Sequence, residues 1–542
     1  EFFTSCLAVA AQQAANKSPV SPTTTTTTTT TFSDLDLANG IPKVTPSRSY
    51  PGAISDFYGL PTNPICIYRT GDEWPVRKGP EAQRVLREAR PSTIDPIRFA
   101  EEGKEAGSLY LWVGVVTRSL SFEDAKAAAI GCKKILADAQ FPEIEIASRE
   151  SVFTRSTAGP RLLDHDPFLD PIADVRSPFT PSLGIQIAPR NAPHFEGTGA
   201  LYLCESSQSD RVFLLTTRHV VLSPSTHSSQ LYSRKNSSQP RLEVVILGSK
   251  AYDDAYNGML GKIGHEILFV QMYKGNLDTL GEAVEGEKTQ VTNMRQDLHS
   301  KLATANQTII DIKQLLDEIN SHWNMLSQRV LGYILHTPPL SVATGPKQFT
   351  EDWALIDLDR DKIDWDTFKG NVVYLGNKIS GPDFVLKMHP HPRCQSDFKY
   401  PVGGLLQVKG IVKEAEIRNP KQLDANVEEC LLAVKNGKTT GVTMGRETGI
   451  ESIIREYDED GIKRTSMEVA VYPYSHRDGA SSAPGDSGSI VIDGQGRIVG
   501  LLTGGSGTTE FTDVTYVTPY FWLEERIKMA FPNSYLYPVV NY

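Results

Sequence analysis

At 542 residues, with 39% hydrophobic and 22% charged side chains, the chain has the composition of a globular protein and is too long for one compact core. Its formal net charge of −10 offers no basic face to a nucleic acid or an anionic membrane, so neither is expected as a partner. No apolar run reaches the roughly 18 residues that a bilayer span needs.

In chain order, residues 1–50 read as a disordered Thr-rich leader: the tract Thr23–Thr31 follows two Ser-Pro pairs and cannot bury enough apolar surface to order itself. The apolar patch Cys6 to Ala11 lacks the basic start and long core of a signal peptide. Residues 51–156 read as a small α/β domain. Ile65 to Tyr68 has strand character, Pro80 to Ala89 that of a helix opened by proline, and Leu109 to Val116 that of a buried strand. Ser121-Phe122-Glu123-Asp124 opens a helix running to Asp138, and Glu143 to Ile146 returns as a strand. Residues 157–193, rich in proline, read as a linker or wrapping segment.

From about 194 the pattern changes to short strands between glycine and polar turns, the signature of an antiparallel sandwich or barrel. One segment interrupts it. Leu277, Val284, Val291, Leu298, Ala305, Ile312, Ile319 and Leu326 repeat every seventh residue, which predicts a coiled-coil-like helix or helical hairpin over 275–335. Such an insert either packs on its own domain or serves as a homo-oligomer or partner-protein arm. Residues 532–542 read as a tail.

The chemistry concentrates at three places. Ala483-Pro484-Gly485-Asp486-Ser487-Gly488 precedes the strand Ile490-Val491-Ile492, a turn at Asp493-Gly494, and the strand Ile498 to Leu502. A serine attacks a carbonyl only when a base takes its proton and donors await the oxyanion. The flanking glycines permit the sharp turn that aims successive N–H groups at one spot. Among eleven histidines, His219 ends the apolar strand Phe213 to Thr216 just before a Ser-Pro-Ser loop, where an imidazole would stand at a barrel rim. His389 and His391, beside prolines, read as loop residues, and His265 and His336 have no comparable setting. Asp352, directly before the strand Ala354 to Leu358, is the carboxylate best placed to orient the imidazole; Asp357 is the alternative, expected on an exposed face. The order His, Asp, Ser is one of the known triad orders.

Thr216-Thr217-Arg218-His219, Asp352-Trp353-Ala354-Leu355 and Gly485-Asp486-Ser487-Gly488 resemble the three motif blocks of chymotrypsin-like (trypsin-like) serine peptidases, in that family's order, over roughly 194–531. Val434 to Thr443 and the overall layout are similar to divergent fungal trypsin-like proteins with an N-terminal α/β domain and a helical insert. The resemblance implies a mainly β fold: two six-stranded antiparallel barrels, the α/β domain and the helical insertion. It also implies a serine endopeptidase acting on a protein or peptide, with His219, Asp352 and Ser487 catalytic and the N–H groups of Gly485 and Ser487 as oxyanion hole. Ser481 would floor the substrate pocket, with Thr503, Gly504 and Gly505 on its pairing edge. A neutral floor favours an apolar or aromatic side chain, unless Asp513 intrudes.

The chain departs from the family in three respects. Val220 and Ala483 stand where secreted members carry cysteines, and the six cysteines form no C-x-x-C pair, which points to an intracellular site and to no metal or organic cofactor. No Ile-Val-Gly-Gly-like terminus precedes the first strand, so Asp486 has no new N-terminus to pair with. Glu196-Gly197-Thr198-Gly199 instead resembles the start of high-temperature-requirement-type proteases. A catalytically silent binding module and an esterase-like hydrolase are the rival readings; the missing G-x-S-x-G elbow disfavours the latter.

Overall fold

The computed structural model describes residues 2–16, 66–70, 91–98, 107–115, 122–150, 159–223, 227, 229–236, 238–376, 379–391, 398–457, 463–475, 477–507 and 512–540. The chain divides into two units, residues 24–157 and the remainder. The helix expected at Pro80 to Ala89 lies outside the described residues.

Helix α1 (Phe2–Asn16) opens the chain. The smaller unit holds β1 (Cys66–Arg69), β2 (Pro91–Arg98), β3 (Leu109–Val115), α2 (Phe122–Asp138) and β4 (Glu145–Glu150), with sheet order β1-β4-β3-β2. β3 and β4 run parallel, joined by α2. Alternation along β3 buries Tyr110 and Trp112, and α2 turns Ala125 and Ala129 inward. Glu123 and Asp124 in its first turn suit the positive end of the helix.

The larger unit begins with β5 (Gln186–Pro189), β6 (Gly197–Thr198), β7 (Leu201–Cys204), β8 (Val212–Thr216), β9 (Tyr232–Ser233) and β10 (Glu243–Ile246). Two long helices follow, α3 (Ser249–Leu280) and α4 (Thr289–His322). After them come β11 (Val330–Thr337), β12 (Ser341–Thr344), β13 (Phe349–Glu351), β14 (Ala354–Leu358), β15 (Val372–Tyr374) and β16 (Leu405–Gln407). The rest is β17 (Gln422–Leu423), β18 (Glu429–Gly437), β19 (Gly441–Tyr457), β20 (Lys463–Pro473), β21 (Ile490–Asp493), β22 (Ile498–Ser506) and β23 (Val514–Pro519), then α5 (Tyr520–Ala530) and β24 (Tyr535–Leu536).

The C-terminal sheet runs β18-β19-β20-β23-β22-β21 and closes through β18–β21 pairing into a six-stranded barrel. The N-terminal sheet, β24-β7-β8-β14-β11-β10-β5-β6, remains a half-barrel. Two closed barrels were expected, and only one closes. Both edges of the open sheet are two-residue strands, and the Thr198 N–H of β6 donates to Ser487 O (2.9 Å) rather than to a further strand. The result is a mainly β unit with one closed six-stranded barrel and one half-barrel.

Four segments differ from the sequence expectation. The proline-rich segment is no linker over residues 160–193: it buries Leu162, Phe179, Leu183 and Ile185 in the main core and supplies β5. The helical insert starts earlier, at Ser249, and Val330–Thr337 belongs to the sheet as β11. Gly281, with φ of +68°, ends α3 in the left-handed region and makes the insert a hairpin. The heptad register holds along α4, where Leu298, Ala305, Ile312 and Ile319 are buried. Third, Phe2–Asn16 is a helix and not part of a disordered leader. Cys6 and Ala10, one turn apart, lie against α3, where a Cβ at Gly264 would come within 2.2 Å of Cys6 O. The tail also returns to the sheet, Leu536 pairing with Leu203. No helix among the described residues is long and apolar enough to cross a membrane.

Candidate active site

His219 lies in a single helical turn, Arg218–Val221, that follows β8 directly. Antiparallel register between β8 and β14 sets Ala354 opposite Thr216, so the residues just before β14 arrive beside those just after β8. Asp352 thereby meets His219: its Oδ2 lies 2.5 Å from Nδ1, and its Oδ1 accepts the His219 backbone N–H at 3.1 Å. Asp352 is 5% exposed and its neighbour Trp353 is buried. Glu351, on the other side, is held by Arg526 of α5 through Nε (2.9 Å) and a terminal nitrogen (2.7 Å). Burial opposes the imidazolium of His219, but the charge and hydrogen bond of Asp352 prevail and hold its pKa above the ordinary 6.5.

Ser487 sits in the loop before β21. Ala483-Pro484-Gly485-Asp486 forms a turn closed by Asp486 N–H to Ala483 O (3.0 Å), and Gly485 takes the φ of +98° that its third position demands. Gly488, at φ +87°, has no room for a side chain, since a Cβ would lie 2.1 Å from Thr198 O and 2.5 Å from Thr216 Oγ1. Thr198 ties the loop down: its N–H donates to Ser487 O (2.9 Å) and its Oγ1 to Gly485 O (3.0 Å), while its own carbonyl accepts from Thr216 Oγ1 (2.7 Å). The Ser487 loop is therefore fastened to the strand end that carries His219. Among the described residues no hydrogen bond joins the Ser487 hydroxyl to the His219 ring. Nor do the backbone N–H groups of Gly485 and Ser487 donate to any described acceptor; they flank Asp486 as two unused donors.

Asp486 is fully buried and its carboxylate is saturated. Thr439 N–H (2.8 Å), Thr440 N–H (3.2 Å), Thr440 Oγ1 (2.6 Å) and Ala483 N–H (3.0 Å) donate to it, and Lys435 Nζ stands 3.1 Å away. Its counterion, Lys435, comes from inside strand β18.

The expected pocket residues are linked through strands β22 and β23. Ser481 Oγ is 2.8 Å from Thr515 Oγ1, and Thr443 Oγ1 donates to Ser481 O (2.6 Å). Ser482 joins the same hydroxyl cluster, 2.7 Å from Thr515 Oγ1 and 2.8 Å from Thr512 Oγ1. Thr503, Gly504 and Gly505 are in β22 opposite β23, and a Cβ at Gly504 would meet open space. Asp513 is exposed.

Other candidates stand elsewhere. Asp357, expected on an exposed face, is 5% exposed and pairs with Arg211 (2.7 Å) and Tyr333 at the far end of β14, opposite Phe213. His389 is stacked on Phe398, and His336 lies against Trp353 and Phe531. No cluster of three or more His, Cys, Asp or Glu able to hold a metal occurs among the described residues. Sequence reading quoted Glu196, Thr198, Lys435 and Lys438 within motif segments without giving them a part in the site, and passed over Ser482 and Thr515. Short polar motifs carry no signal of which charges a fold will bury.

No protein-family model matches the sequence, and no characterised protein matches it by sequence. Solved structures of serine proteases do resemble it at low identity. A glutamic acid specific serine protease is 11% identical over 64% of this chain and 97% of its own, with a TM-score of 0.27. The Cellulomonas bogoriensis chymotrypsin is 16% identical over 39% and 80%, with a TM-score of 0.21. A protease of M. tuberculosis in its active form is 12% identical over 70% and 92%, with a TM-score of 0.23.

Proposed function

We propose that this chain is a serine endopeptidase in which His219, Asp352 and Ser487 act in series. The observation that carries the reading is the His219–Asp352 contact on a rim to which the Ser487 loop is fastened through Thr198 and Thr216. In this mechanism His219 Nε2 takes the Ser487 proton as Oγ attacks the scissile carbonyl. His219 then protonates the leaving amine, and water hydrolyses the acyl-enzyme. Asp352 keeps Nδ1 protonated and offsets the imidazolium charge, in accord with the raised His219 pKa. The free N–H groups of Gly485 and Ser487 receive the oxyanion. No metal or organic cofactor enters this scheme.

A fluorophosphonate probe should label the wild-type chain at Ser487 and leave Ser487→Ala unlabelled. A folded wild-type chain that does not label would favour the silent binding module. The hydroxyls beneath the pocket are spent on one another, so the reading assigns preference to uncharged side chains over Lys or Arg; a peptide library cleaved after basic residues would contradict it. The described cysteines Cys6, Cys132, Cys204 and Cys430 are free thiols, which suits a reducing compartment. Secretion of the tagged full-length protein would contradict that placement.

A further inference from the structure

Glu196 stands between two elements that are remote in sequence. Its Oε1 accepts the N–H of Ala251 in the first turn of α3 at 2.7 Å, an anionic cap at the positive end of a 32-residue helix. Its Oε2 pairs with Lys438 Nζ at 2.6 Å, and the two side chains are 5% and 9% exposed. The fit at the root of the arm is tight: a Cβ at Gly248 would lie 2.3 Å from Pro193 O and 2.6 Å from Glu196 Oε1. Arg329, where the chain leaves the arm, donates to Gly248 O at 3.1 Å, so both ends of the helical hairpin converge on this point.

Lys438 leads to the nucleophile. A Cβ at Gly485 would meet its Cδ at 3.3 Å, and its backbone N–H donates to Thr198 Oγ1 at 3.1 Å, the hydroxyl that also holds Gly485 O. The adjoining Thr439 donates through Oγ1 to Pro484 O (2.6 Å) and through N–H to Asp486 (2.8 Å). Every link is a contact between named atoms, and most are part-buried.

We propose that Glu196 and Lys438 are positioning residues that tie the root of the helical arm to the Gly485–Ser487 turn, so that the seating of the arm sets the reactivity of Ser487. This rests on the reading of Ser487 as the nucleophile. Neither side chain is required to touch substrate; each acts by holding the turn whose N–H groups face the oxyanion.

The test measures the second-order rate of fluorophosphonate labelling against pH on the full chain, with thermal unfolding followed in parallel. Glu196→Gln and Lys438→Met should each lower the plateau rate at least tenfold while the pH inflection set by His219 stays in place. The double variant should be no slower than the slower single, because one link is cut either way. Lys438→Arg, which keeps the charge, should recover most of the rate and serves if Lys438→Met does not fold. Gly248→Ala, which crowds both the Pro193 carbonyl and Glu196 at the root of the arm, should also slow labelling. Folded variants labelling at the wild-type rate would overturn the proposal alone. So would losses that multiply in the double variant, or losses that merely follow the melting temperature. A wild-type chain that fails to label would remove the nucleophile reading and this proposal together.

Discussion

Replacing Lys435 by methionine keeps the unbranched stem of the side chain, one atom shorter, and removes one charge. Asp486, fully buried, would then keep four hydrogen bonds but no counterion. Lys435 also donates to Gly441 O (2.9 Å) and to Thr440 Oγ1, so the β18–β19 turn loosens with it. Stranding one member of a buried pair costs about 3–5 kcal/mol, and the remaining donors place this case near the lower figure, about 3 kcal/mol. A domain with a typical stability of about 5–15 kcal/mol stays folded, with a melting midpoint lower by roughly 5–10 °C. Reactivity should suffer more than stability, because Asp486 lies between the two N–H groups assigned to the oxyanion. Loss of one such donor costs about 100-fold or more in rate. Chemical denaturation gives the first quantity and fluorophosphonate labelling the second. Lys435→Met with Asp486→Asn, which leaves no stranded charge but sets an amide NH2 against backbone N–H donors, should regain only part of the stability while labelling stays slow. A Lys435→Met chain that labels at the wild-type rate and loses less than about 1 kcal/mol would refute the reasoning that this pair shapes the turn.

Two further predictions concern titration. The labelling rate should climb with pH to a plateau through an inflection above the 6.5 of an ordinary histidine, because Asp352 outweighs burial at His219. In Asp352→Asn, burial is unopposed and the inflection should fall below 6.5, with a lower plateau; an unmoved inflection would rule out His219 as the titrating base. Separately, burial lifts Glu447 to about 7, and one of its carboxylate oxygens is buried without a partner. A carboxyl whose folded-state pKa exceeds its unfolded value loses stability as pH rises between the two, here from 4.5 to about 7. Glu447→Gln should therefore match the wild type in urea unfolding at pH 4 and exceed it at pH 8 by up to about 3 kcal/mol. Equal stabilities at pH 8 would count against it.

Much of the site's raw material is readable along the chain. The Pro-Gly turn, the glycines around Ser487, the apolar strand ending at His219 and the acid opening the strand at Asp352 are local patterns, and local backbone rules make them informative. The parallel β3–α2–β4 unit and the apolar seam of α4 were legible for the same reason, since side-chain period reveals a buried face. What the sequence could not show depends on partners distant along the chain. The first half of the arm escaped notice because its inward face is mostly small, Ala251, Ala255, Gly261 and Gly264 beside only Met259 and Ile263, and small residues that admit a neighbouring backbone leave little hydrophobic rhythm. Helix α1 was hidden because its partner surface lies some 250 residues away, on α3. Lys435, Lys438 and Glu196 resemble ordinary surface charges until long-range packing takes their side chains out of water, and the meeting of His219 with Asp352 depends on the register of β14 against β8. Periodicity and turn chemistry act between neighbours and so are written in order along the chain. Burial of charge and strand register arise only from long-range packing, which the tertiary structure alone decides.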